Sequence, residues 1–88
     1  MSDRFPLPEK MDFSGNVAEK WKLFEQAFGY YLNATGKASK ADKIKIWVLM
    51  SCIGIEGMHI FNTFKYDEAE SADKYDDVIK KFKDYCMP

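Results

Sequence analysis

The residue types able to do chemistry are few in this chain, and their spacing is wrong for it. Cys52, His59 and Cys86 are the soft ligands apart from methionine. No two of them stand at Cys-x-x-Cys or His-x-x-x-His spacing, and a structural zinc site needs four ligands. Cys52 and His59 are seven residues apart, which is one face of a continuous helix. Gly54 interrupts that helix, and no carboxylate is placed to orient the imidazole. Gly54-Ile55-Glu56-Gly57 lacks the lysine and the leading glycines of a phosphate loop. The acids Asp67, Glu68, Glu70, Asp73, Asp76 and Asp77 read as a solvated face before they read as a catalytic pair. The expectation is no catalytic residue, no metal, no cofactor and no enzyme.

The elements that carry these residues are helical. Asn16 is a good N-cap and Glu19 stands three residues on, as in a capping box. Val17, Trp21, Phe24, Phe28 and Tyr31 then recur at intervals of four and three, one face of a helix over 16–35. Leu23, Ala27 and Tyr30 widen that stripe. Gly36 is the natural residue to end it. A second helix is predicted over 39–53, with Ser39 as N-cap and Asp42 as its box partner. Every residue from Ile46 to Met50 is apolar, which predicts burial nearly all round. Gly54 breaks that run, and a short helix over 55–64 follows with Met58 and Phe61 inward. An acidic loop spans 65–72. A last helix starts near Ser71 or Asp73, where Tyr75, Val78, Ile79, Phe82 and Cys86 share one face.

Residues 1–15 hold two of the three prolines, and Phe5-Pro6-Leu7-Pro8 is expected to be extended. Leu7, Met11 and Phe13 are placed to lie along a groove. The fold class is therefore all-α: a small orthogonal bundle of four or five helices over 16–88, with an extended segment over 1–15. Trp21, Phe24, Phe28, Tyr31, Trp47, Phe61, Val78 and Phe82 are the expected core anchors. With seven Phe, five Tyr and two Trp, aromatic side chains remain over to wall a groove for a proline- or aromatic-containing peptide.

The charge is balanced, 13 Lys+Arg against 14 Asp+Glu, which argues against direct nucleic-acid binding by this segment. The signs do segregate. Lys37, Lys40, Lys43 and Lys45 crowd the middle and the acids crowd the last third, which reads as two solvated faces or as complementary poles by which copies meet head to tail. The N-terminus lacks the apolar stretch of a signal peptide, no run reaches membrane-spanning length, and two cysteines make no disulfide framework. An intracellular, cytoplasmic setting without membrane contact is the expectation.

One ordered set of words adds to this reading: Phe13-Ser14-Gly15-Asn16, Trp21-x-x-Phe24, Phe28-x-x-Tyr31-Leu32, Ala34-Thr35-Gly36, Leu49-x-x-Cys52-Ile53-Gly54, Ile60-Phe61-Asn62-Thr63-Phe64, Tyr75-x-x-Val78 and Phe82-x-x-Tyr85-Cys86-x-Pro88. Together they resemble the N-terminal lobe of the Gag capsid region of Ty3/gypsy-type long-terminal-repeat retrotransposons. They are also similar to the N-lobe of domesticated Gag proteins such as Arc. The resemblance implies a helical capsid lobe that self-assembles with copies of itself into a virus-like particle, and a chain that continues past Pro88 into a second lobe. For the domesticated proteins it implies instead a hydrophobic groove for short extended peptides, with Phe5, Leu7 and Phe13 of the N-terminal segment nearby. Lys37, Lys40 and Lys43 are the residues expected on an assembly surface along the first two helices.

Overall fold

The computed structural model describes residues 6–88, which form a small all-α bundle of four helices. They are α1 (Val17–Ala34), α2 (Asp42–Ile53), α3 (Ile55–Phe61) and α4 (Tyr75–Cys86). Phe5 lies outside the described residues.

The ends of α1 are written in the local sequence. The Asn16 side chain accepts the Glu19 N–H at 3.3 Å, satisfying one of the helix's orphan donors. At the other end Gly36 has φ 73°. The Lys37 N–H closes on the Leu32 carbonyl at 2.8 Å and the Gly36 N–H on that of Asn33 at 3.2 Å. These two bonds make a Schellman ending, which needs the left-handed conformation that glycine adopts freely.

The core is a stack of rings. Trp21, fully buried, lies between Phe24 and Phe82, with ring centroids 5.8 and 5.6 Å away. Phe64 meets Phe82 edge-on at 4.9 Å. Leu49, Ile53 and Val78 fill the space between α2 and α4. Helix α4 contacts both α1 and α2, and α3 leans on α2. Trp21, Phe24, Phe28, Val78 and Phe82 are buried as expected, while Tyr31 and Phe61 are half-buried at the margin.

Trp47 is not a core anchor: 59% of its surface is exposed. Helix α2 buries Ile46, Leu49, Cys52 and Ile53. Trp47 stands about 100° round the helix from Ile46 and so faces away from that stripe. Lys43 and Ser51, one turn to either side, are exposed with it. The helix is therefore amphipathic in packing although every residue from Ile46 to Met50 is apolar. Leu23 and Tyr30 likewise stay exposed on α1 and do not widen its buried face.

Helix α2 begins at Asp42 behind an Ala41 N-cap, with no side-chain cap; Ser39 precedes it in a turn. Helix α3 stops at Phe61, three residues early, in a turn closed by the Thr63 N–H on the Ile60 carbonyl at 3.0 Å. Helix α4 begins at Tyr75, later than the sequence suggests. Gly57 lets α3 approach α2, because a Cβ there would lie 2.6 Å from Ile53 Cγ1. The loop before α4 is tied down. The Glu70 carboxylate takes Lys81 at 3.0 Å and Lys80 at 3.6 Å, and the Lys81 ammonium sits 5.5 Å from the Tyr66 ring centre.

Candidate association surface

Helix α2 sets out Lys43 and Trp47 one turn apart, with the Lys43 ammonium 5.9 Å from the indole centre. The Ser51 hydroxyl donates to the Trp47 carbonyl at 3.0 Å, adding a local tie on the same exposed face. Beside Trp47 lies a depression of about 310 Å³. Ile46 and Met50 of α2 and Phe61 of α3 give it an apolar wall, and Ala72 and Asp73 close it from the loop before α4.

A long-range polar contact joins the far wall to α2. The Asp42 carboxylate accepts the backbone N–H of Tyr75 at 3.1 Å. Lys45 stands 3.6 Å from the other Asp42 oxygen and 4.8 Å from the centre of the Tyr75 ring. The Tyr75 ring also meets Phe28 of α1 at 6.4 Å. Burial, with Glu25 and Asp76 nearby, pushes its phenol up to about 12. Tyr75 is thus a neutral post on which α1, α2 and α4 meet.

This contact changes the meaning of the charge segregation. Lys43 is in the first turn of α2 and Lys40 just before it, Asp76 is in the first turn of α4 and Asp73 just before it, and the Asp42–Tyr75 bond joins the starts of the two helices. Lys43 of the basic block and Asp73 of the acidic block thus border one depression. Within the acidic block Glu70 is paired and held below the usual carboxylate range, first by the Asp67 N–H and then by Lys81. Asp77 accepts the Ser71 N–H at 3.0 Å. Lys37 is half-buried and closes α1 through its backbone, so Lys40 and Lys43 are the exposed members of the expected assembly set.

The N-terminal segment forms a second, smaller feature. Met11 is buried, and its N–H donates to the Ile53 carbonyl at 3.2 Å. Phe13 packs edge-on to Tyr85 at 6.2 Å. Leu7 is 62% exposed, so Met11 is the buried anchor of this segment. Asp12 takes Lys20 at 2.7 Å and the Ser14 hydroxyl at 2.6 Å. Lys20, then Ser14, hold the Asp12 carboxyl down at about 2. A depression of about 270 Å³ runs between this segment and Leu23, Phe24 and Ala27 of α1.

Both cysteines are buried free thiols, and burial pushes Cys86 up to about 11. His59 is exposed on α3. Among the described residues no three His, Cys, Asp or Glu side chains converge as metal ligands, and no helix is long and apolar enough to cross a membrane. The chain matches no family model, no curated protein and no solved structure.

Sequence reasoning missed Trp47 as a surface residue and Asp73 as a neighbour of it at the depression. A single helical wheel of α2 carries a signal for the first: placing Ile46, Leu49 and Ile53 inward leaves Trp47 outward. Nothing local signals Asp73, since its place depends on contacts between distant segments.

Proposed function

We propose that this chain is a protein-association lobe of the capsid type, the structural N-terminal domain of a Gag protein that mediates self-assembly of a retrotransposon-type particle. The observation that carries the reading is Trp47, a large aromatic exposed beside an apolar depression with charges at its rim. Aromatic residues enriched at interface centres, with polar rims around them, are the usual anatomy of association surfaces. The four-helix fold and the ordered words shared with Ty3/gypsy-type capsid lobes support the same reading. The partners are other copies of the chain. The near-neutral charge of −1 speaks for contacts to protein over contacts to nucleic acid. Buried free thiols suit an intracellular, cytoplasmic setting.

The test is to express the gene product that contains this chain and look for particles by electron microscopy, with Trp47→Ala beside it. Particles that form and are lost in Trp47→Ala support the reading; absence of any particle from the unmodified protein overturns it.

A second reading is favoured by the groove between the N-terminal segment and Leu23 and Phe24 of α1. It makes the chain a peptide-binding adaptor lobe of a domesticated Gag protein. Titration with short proline/aromatic peptides, followed by backbone amide NMR shifts, distinguishes it. Shifts confined to residues 9–12 and 20–27 support the adaptor; none at millimolar peptide removes it.

A further inference from the structure

We propose that the Trp47 face receives a second copy of this same face, packed about a two-fold axis passing between the two Trp47 rings. The inference rests on the association reading above and deepens it by naming the partner and the symmetry.

The charge pattern carries it. In the linear sequence the lysines and acids form separate blocks, a pattern suited to head-to-tail contact. Folding puts one residue of each block, Lys43 and Asp73, at the rim of one depression together with Trp47. Both side chains are exposed. Among the described residues neither is in an ion pair, whereas nearby Asp42 and Lys45 pair with each other, as do Glu70 and Lys81. A face that carries a positive charge from its α2 wall and a negative charge from its loop wall can be its own complement under a two-fold rotation. Lys43 of one protomer then meets Asp73 of its partner, and the reverse contact forms by symmetry. A ligand of single sign satisfies one rim and opposes the other.

Size points the same way. At about 310 Å³ the depression is at the small end for ligand pockets, which run from about 300 to 1,000 Å³. It suits a side chain, and the side chain that the symmetry brings to it is the partner's Trp47. An interface built on one tryptophan and two rim pairs is a weak, concentration-dependent one.

Sedimentation equilibrium on the 88-residue chain tests this, with circular dichroism confirming that each variant keeps its helical signal. The unmodified chain is expected to rise to twice the monomer mass and stop there. Lys43→Glu and Asp73→Lys are each expected to weaken the dimer by about tenfold or more, because each variant opposes like charges at both rims. Mixing the two variants in equal amounts is expected to restore the dimer: Glu at position 43 then meets Lys at 73, and Lys43 meets Asp73. Trp47→Ala is expected to abolish it. A monomer at every concentration up to millimolar overturns the proposal. So does a mass that climbs without a limit at two, which is the mark of head-to-tail chains, or a mixture no tighter than its components. If these outcomes fail while particles still form in the preceding experiment, the two-fold contact falls and the association reading stands. If no particle forms from the unmodified protein, that reading falls by itself.

Discussion

The Asp42 carboxylate caps a helix it does not belong to: it accepts the Tyr75 N–H at 3.1 Å, across 33 residues of sequence. Helix α4 has Lys74 as its N-cap residue and no side-chain cap of its own. Asp42 supplies the missing acceptor and places a negative charge at the positive end of the α4 dipole. Removing the oxygen in Asp42→Ala is expected to cost about 1 kcal/mol, the usual size of a lost N-cap. For a domain of this length that lowers Tm by about 4–8 °C. Asp42→Asn, which keeps an acceptor of the same shape, is expected to retain most of the stability. Thermal melts of the two variants check the difference, and equal losses in both would contradict the cap.

Gly57 and Gly29 make an opposed pair, both within helices. At Gly57 an added Cβ would lie 2.6 and 2.7 Å from the two γ carbons of Ile53. At Gly29 it would meet nothing within 4 Å. Alanine restores helix propensity worth about 1 kcal/mol at either position. At Gly57 that gain is expected to be outweighed by overpacking of about 1–3 kcal/mol. Denaturant unfolding is therefore expected to give a lower midpoint for Gly57→Ala and a higher one for Gly29→Ala. Propensity alone raises both, so the sign of the Gly57 change decides.

What was legible in the sequence follows the range of the interaction concerned. Both ends of α1 can be read off Asn16 and Gly36 because their bonds reach only three to five residues. The rings of α1 and α4 declare their faces because polar residues separate them. The run from Ile46 to Met50 hides its period, since five apolar residues in a row look equally fit for burial. The structure breaks that tie through contacts with α4 and α3, and Trp47 comes out on the exposed side. The start of α4 at Tyr75 is hidden for a similar reason: its cap comes from Asp42, which no local pattern around Ser71 or Asp73 contains. The rim of the candidate surface depends on that same distant bond. Lysines and acids could be counted from the sequence, but only the fold makes them neighbours.

Acid is expected to loosen the N-terminal segment before the bundle. Asp12 is held at about 2 by Lys20 and Ser14, against an ordinary value of 3.8. Its native contacts favour the ionised form, so their stabilisation is complete above pH 4 and is lost as pH falls through 4 toward 2. The side chains of the pair are well exposed, which keeps the effect small and sensitive to salt. Amide exchange at Met11 is the sensitive readout, because its N–H is bound to Ile53 at the centre of the segment. Protection there is expected to fall between pH 4 and 2 in the unmodified chain. In Asp12→Asn it is expected to be low already at pH 6 and flat below it. A parallel decline in both proteins would assign the loosening to other carboxylates.

The two tryptophans are expected to separate cleanly in fluorescence. Trp21 is 0% exposed among Phe24 and Phe82, whereas Trp47 is 59% exposed on α2. A dissolved quencher such as iodide reaches an indole only through solvent, so in dilute monomer it is expected to quench Trp47 and spare Trp21. Trp47→Phe leaves a chain whose emission is blue-shifted and resistant to iodide. Its stability is expected to change by less than about 0.5 kcal/mol, as for other surface substitutions. Trp21→Phe leaves the converse spectrum and is expected to lose about 1–3 kcal/mol, because a smaller ring opens a void in the stack. Emission from the Trp47→Phe protein that iodide quenches as fully as free indole would put Trp21 at the surface and overturn the arrangement of the core.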